Sequence, residues 1–188
     1  IKISKTLSLE KKIDSNQYIF IVGMPRCGST LLESILSLNP EVKDLGEVCF
    51  LEECLRKTND LLEVRNLYSE KVGLINSEKK IFTDKNLFNF LYCPVIYNLF
   101  PNARVIHCTR NPLDNIISIY RTNFLNQSFS SSLRDTTDLY LYQMKLMQEY
   151  KSKFKSMIYS YDHDKVIQNP EENIKNLIHW LDWEWSDN

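Results

Sequence analysis

Two hydrophobic rhythms alternate along this chain: short unbroken apolar runs, and longer stretches in which apolar positions recur every three or four residues. Residues 18–22 read Tyr-Ile-Phe-Ile-Val and end at Gly23. A β-branched and aromatic run of that kind predicts a strand covered on both faces, as in a parallel sheet. Residues 29–38 carry Leu31, Leu32, Ile35 and Leu36 on one side and stop before Asn39-Pro40, which predicts a helix. Strand-like runs over 80–83 and 104–109 lead into helical patterns that extend through Phe100 and over 113–124. Pro94 predicts a kink or a restart within the first of these. The longest helix is expected over 135–154, with Leu139, Tyr142, Leu146, Met147, Tyr150 and Phe154 at helical spacing. Residues 156–161 alternate like a strand. A last helix follows, capped by Asn169, opened by Pro170 and carrying Glu171 and Glu172 at its positive end. Its stripe is Ile174, Leu177, Ile178 and Leu181. This order predicts an α/β fold of three layers, a central mostly parallel sheet flanked by helices, with right-handed crossovers.

Length allows one domain with a substantial core, 1–188, in which the polar residues 1–16 form a peripheral arm. The chain opens at Ile1 rather than Met and stops just after Trp185, which reads as a fragment with an incomplete C-terminal end. A formal charge of -1 argues against bulk capture of nucleic acid or an anionic membrane, while leaving room for a local basic pocket. No apolar run approaches the roughly 20 residues that span a bilayer, and no signal-peptide pattern is present. The five cysteines are odd in number and lack C-x-x-C spacing, so a reduced, cytoplasmic setting is expected rather than a disulfide framework. His107, His163 and His179 have no ligand spacing, and no metal site is expected.

The candidate chemistry lies at the strand ends, where ligands of open α/β sheets bind. Gly23-Met24-Pro25-Arg26-Cys27-Gly28-Ser29-Thr30 joins the first strand to the first helix. Glycines allow the tight turn, backbone N–H groups form an anion nest, and the helix start adds positive potential. The loop is P-loop-like, G-x-x-x-x-G, but Ser29 stands where Walker A has its lysine. That lysine reaches the β and γ phosphates, so its loss argues against an ATPase or GTPase. Arg26 supplies a cation within the loop instead. Arg110, ending the 104–109 strand, and Ser118, two turns into the next helix, offer a second pair of anion donors. Lys85 falls on the same rim.

Together these residues carry a family resemblance. Residues 25–31, Pro-Arg-Cys-Gly-Ser-Thr-Leu, resemble the P-R-S-G-T-T-L loop of sulfotransferases that use 3′-phosphoadenosine 5′-phosphosulfate (PAPS). Arg110-Asn111-Pro112-Leu113-Asp114, with Ser118, Tyr120 and Phe124, is similar to the R-N-P-x-D…S-x-Y…F segment of that family. Thr83-Asp84-Lys85-Asn86, then Asn89-Phe90-Leu91-Tyr92 and Phe100-Pro101-Asn102-Ala103, resembles its T-D-K…N-F-L-Y…F-P-N-A segment, and Gly46-Glu47 its G-E pair. The resemblance runs from about Tyr18 to Trp185 and is greatest to tyrosylprotein sulfotransferases and bacterial repeat-associated sulfotransferases.

The resemblance implies that Gly28, Ser29 and Thr30 hold the 5′-phosphate, with Arg26 and Cys27 in the same loop, and that Arg110 and Ser118 hold the 3′-phosphate. It implies Glu47 as general base, with Lys85 and Arg26 near the transferring sulfuryl group. PAPS is then the co-substrate, 3′,5′-adenosine bisphosphate (PAP) the product, and a hydroxyl or amine compound the acceptor, with no metal. Two departures stand out. Cys27 and Ser29 replace the family's Ser and first Thr, both small residues in a crowded loop. Val48, Cys49, Phe50 and Leu51 occupy the stretch where tyrosylprotein sulfotransferases have basic residues that contact acidic peptides. The resemblance therefore does not carry acidic-peptide recognition over, and the acceptor stays open between sugar, peptide, lipid and small molecule. The family's tyrosine near the nucleotide corresponds to Tyr161 or to His163. Glu47 also opens an apparent helix over 47–57, where a carboxylate would favour the first turn. The rival readings are a P-loop small-molecule kinase, for which no strand-end Asp for the metal stands out, and a nucleotide-binding module without catalysis.

Overall fold

The computed structural model describes residues 16–75, 78–122, 124 and 127–185. The expected arm lies almost wholly outside them. Five strands form one sheet in the order β2-β3-β1-β4-β5, and all four pairings are parallel. The strands are β1 (Gln17–Gly23), β2 (Val42–Asp44), β3 (Ile81–Asp84), β4 (Arg104–Thr109) and β5 (Ile158–Asp162). Between them lie α1 (Ser29–Leu36), α2 (Phe50–Lys57), α3 (Leu61–Ile75), α4 (Cys93–Leu99), α5 (Pro112–Thr122) and α6 (Leu133–Lys153), and α7 (His163–Gln168) and α8 (Pro170–Trp180) follow β5.

β1 is central because it is apolar on both sides: Tyr18, Phe20 and Val22 enter one core cluster, Ile19 and Ile21 the other. The first cluster includes Tyr68 of α3, Ile96 of α4 and Met147 of α6. The second includes Leu32 and Leu36 of α1, Val166 of α7 and Leu177 of α8. Helices therefore cover both faces, as the unbroken apolar run requires. Pro94 marks a restart: a 3-10 turn over Leu87–Tyr92 gives way to α4, with the proline in its first turn, where no backbone donor is lost.

Four elements depart from the expected pattern. β2, α3 and α7 are additional, and the helix expected over 47–57 begins only at Phe50. Glu47 therefore precedes the helix, and the first-turn acids are Glu52 and Glu53. In place of a helical bond, the 45–48 loop is tied to the end of β3. Leu45 N donates to Thr83 O at 2.9 Å, Lys85 N to Gly46 O at 2.9 Å, and Asn86 Nδ2 to Val48 O at 3.2 Å.

β3 also ends in an aspartate. Asp84 is buried and accepts from Tyr68 Oη at 3.0 Å, Asn86 N at 3.0 Å and Asn89 Nδ2 at 3.1 Å. Burial pushes its carboxyl up to about 7, against the pull of those donors, led by Asn86 N. The unfolded carboxyl titrates near 3.8, so the folded protein holds this proton more tightly. Asp84's contribution to stability is thus full below about pH 3.8 and is lost as pH rises through about 7, by roughly 4 kcal/mol at most. Thermal melts from pH 4 to 8 of the native protein and of Asp84→Asn are expected to diverge over that window. Parallel curves would show that Asp84 does not titrate there.

Candidate active site

The loop after β1 has the backbone that an anion nest needs. Arg26 has φ 67° and Gly28 φ 92°, and Gly28 occupies the N-cap of α1 without any side-chain cap. The first N–H groups of α1 thus point outward with no side chain bound to them, at the positive end of the helix. A side chain at residue 28 would collide with the imidazole of His163, which packs directly on this glycine. The loop is braced from behind by Asn115 of α5, itself buried, whose Nδ2 donates to Pro25 O at 2.8 Å. Cys27 is buried against Gly23, and Cys108 Sγ donates to Cys27 O at 3.1 Å. The small side chain fills core space and leaves only its backbone for a ligand.

A cleft of about 700 Å³ opens over this loop. Its floor is Pro25, Arg26, Gly28, Ser29 and Thr30; Arg110 and His163 line the side of β4 and β5, and Glu47 and Asn86 the side of β2 and β3. A smaller hollow of about 340 Å³ continues from Arg110 to Ser118 and Arg121 along α5. Arg110 therefore borders both spaces, and its Nε is buried without a partner. Arg26 Nε donates to Ser118 Oγ at 3.2 Å, so the loop cation leans toward α5.

At the opposite end Lys85 lies between two carboxylates. Its Nζ is 3.0 Å from Glu47 Oε1 and 3.6 Å from Glu33 Oε2. The side chains of Lys85 and Glu33 are 8% and 10% exposed, and that of Glu47 is 71% exposed. The ammonium is thus fixed from below, while the carboxylate above it stays open to a reactant. Glu33 Oε1 accepts from Thr83 Oγ1 at 3.1 Å. Burial raises the Glu33 carboxyl, and Lys85 and Thr83 oppose that rise.

The structure thus brings Glu47 and Lys85 together, and separately Arg26, Ser118 and the nucleotide loop. Of Tyr161 and His163, His163 lines the cleft, whereas Tyr161 is buried in the core beside α1. The contributions of Glu33 and Asn115 were not anticipated. Glu33 falls four residues after Ser29 on the helix face shared with Leu32 and Leu36, where an acid invites the question of its partner. Among the described residues, no group of His, Cys, Asp and Glu side chains is placed to hold a metal ion. All five cysteines are free thiols. No described helix is long and apolar enough to cross a membrane.

The profile of the sulfotransferase family matches residues 18–72 and 51–187. The chain belongs to the sulfotransferase family. An uncharacterised protein of Aquifex aeolicus (strain VF5) is 30% identical to it over 92% of this chain and 26% of its own length. A protein-tyrosine sulfotransferase of Drosophila melanogaster is 24% identical over 90% of the chain and 38% of its length. The chain therefore spans about a quarter and two fifths of these relatives. Among solved structures, the sulfotransferase domain of the curacin biosynthetic pathway superimposes with a TM-score of 0.69 at 15% identity, over 92% of this chain and 76% of that one. A mouse sulfotransferase solved in complex with PAP gives 0.59 at 14%, over 92% and 61%. These two likenesses establish a common fold, the P-loop-like α/β architecture expected from the strand order.

Proposed function

We propose that this sulfotransferase moves a sulfuryl group from PAPS to a hydroxyl or amine acceptor by in-line displacement. The observation that carries the reading is the Lys85–Glu47 pair at one end of a cleft whose floor is the phosphate loop and whose other end is Arg110. The N–H groups and hydroxyls of Ser29 and Thr30 suit a 5′-phosphate, and the unpartnered Arg110 with Ser118 suits a 3′-phosphate. The complex of the mouse relative with PAP agrees with that ligand class.

PAPS supplies an activated sulfuryl group and a leaving phosphate. Glu47, exposed beside the cleft, takes the acceptor's proton as its oxygen bonds to sulfur. Lys85 offers positive charge to the equatorial oxygens at the Glu47 end, and Arg26, from the loop, to the phosphate oxygen that receives the electron pair of the breaking S–O bond. Glu33 holds Lys85 in place from the core side. For a kinase, a strand-end aspartate would have to face Mg²⁺; β2, β3 and β5 end in Asp44, Asp84 and Asp162, none of which lines the cleft. Asp84 is engaged by Tyr68, Asn86 and Asn89, and Asp162 by the N–H groups of Asp164 and Lys165.

Calorimetry with PAP and, separately, with ATP and Mg²⁺ tests the reading. Micromolar or tighter binding of PAP, with ATP at least about tenfold weaker, is expected from a site with a dedicated 3′-phosphate pocket. Preference for ATP and Mg²⁺ would replace it with the kinase reading. Transfer of labelled sulfate from PAPS separates an enzyme from a binding module.

A further inference from the structure

The cleft has a second wall, and its chemistry differs from that of the nucleotide side. Beyond Glu47 it is formed by Phe88, Leu91 and Tyr92, which follow β3, and by Phe124 and Phe129, which follow α5. The rings are set against one another rather than splayed: Phe88 meets Phe129 edge-on with centroids 5.8 Å apart and Phe90 at 5.9 Å. Glu52 is the charged residue on this wall. Its carboxylate pairs with Arg56 at 2.5 Å, which engages that guanidinium. Among the described residues that line the cleft, Arg26 and Arg110 are the arginines, both on the nucleotide side, and Lys85 reaches its acceptor end through Glu47.

We infer that the acceptor is an uncharged aromatic alcohol, whose ring lies among Phe88, Tyr92, Phe124 and Phe129 with its hydroxyl at Glu47. This rests on the PAPS reading, which places the acceptor at the Glu47 end. Aromatic rings favour offset or edge-on contact with other rings, which such a wall supplies. An acidic acceptor would bring carboxylates beside Glu47 and Glu52, which already engage their cation neighbours Lys85 and Arg56, and no other cation lies on that wall among the described residues. Gln127, between Phe124 and Phe129, and Asn86 add amide groups to this lining, so glucose is the competitor that tests whether the rings or the amides choose the acceptor. The transfer balances: the phenolic oxygen forms the new bond to sulfur, the S–O bond to the 5′-phosphate breaks with its electron pair leaving on PAP, and Glu47 takes the phenolic proton.

The test supplies PAPS with 2-naphthol, with a tyrosine peptide flanked by glutamates, or with glucose, and measures PAP formed; binding of PAP alone is measured in parallel. kcat/KM for 2-naphthol is expected to exceed that of either competitor by about tenfold or more. Phe88→Ala is expected to raise KM for 2-naphthol about tenfold while PAP binds as before. Leu91, 42% exposed, tolerates substitution without repacking, so Leu91→Lys serves if the first variant fails to fold. The added cation is expected to shift the ratio toward the acidic peptide at least about threefold. Preference for the peptide or glucose, no turnover of 2-naphthol, or an unchanged ratio in a folded variant overturns the inference. If PAP binds in those cases the donor reading survives; if PAP does not bind, the donor reading falls, and this inference with it.

Discussion

Glu47→Gln is expected to lower sulfuryl transfer by about 10²–10⁴-fold, the usual worth of a positioned general base, while PAP binding changes little. The substitution keeps the shape of the side chain and a polar atom within reach of Lys85 Nζ, now 3.0 Å from Oε1, but removes the proton acceptor. Because Glu47 sits in a loop held by Lys85 N, Leu45 N and Asn86 Nδ2 rather than in a helix, no helical turn is lost with it. Single-turnover assays alongside PAP calorimetry separate the two effects. Turnover within a few fold of the native protein would remove Glu47 from the proton transfer, and loss of PAP binding would make it a nucleotide ligand.

The second large effect is expected at the other end of the cleft. Arg110→Ala should weaken PAP about 10- to 100-fold, since a hydrogen bond to a charged group contributes about 1.5–3 kcal/mol. Arg110 borders both hollows, and its Nε has no partner, so truncation breaks no Nε hydrogen bond. The loss should be much smaller for adenosine 5′-monophosphate, which lacks the 3′-phosphate. Equal losses for both ligands would move Arg110 to the 5′-phosphate. Together the variants divide the cleft: one damages turnover with binding spared, the other binding first.

Much of the architecture was legible because the strands are buried on both faces and therefore written as unbroken apolar runs. The span of β4 agrees with its pattern to the residue, and Gly23 closes β1 as expected. β2 escaped notice because it is three residues long and carries Lys43 and Asp44, and sheet pairing rather than composition defines it. α3 has a weak apolar stripe, Val64, Tyr68 and Val72, broken by charged neighbours. At the site, the loop and Arg110 were readable from local spacing. Glu33 was not, because its role depends on Thr83 and Lys85, fifty residues away in the chain and adjacent only through the crossover. Glu47 was recognised as a candidate but assigned to a helix that starts later, since Gly46, at φ 70°, turns the chain before α2 can begin.

The strand order bears on how the protein is made. β1 occupies the centre of the sheet, yet its two partners are β3 and β4, the nearer of which follows roughly 60 residues later. At ribosomal speeds of about 5–20 residues per second, Ile19, Phe20, Ile21 and Val22 emerge several seconds before either neighbour exists. A nascent segment this greasy, with both edges open, is an obvious client for chaperones, and the phosphate loop can take shape only after the middle of the chain has left the exit tunnel.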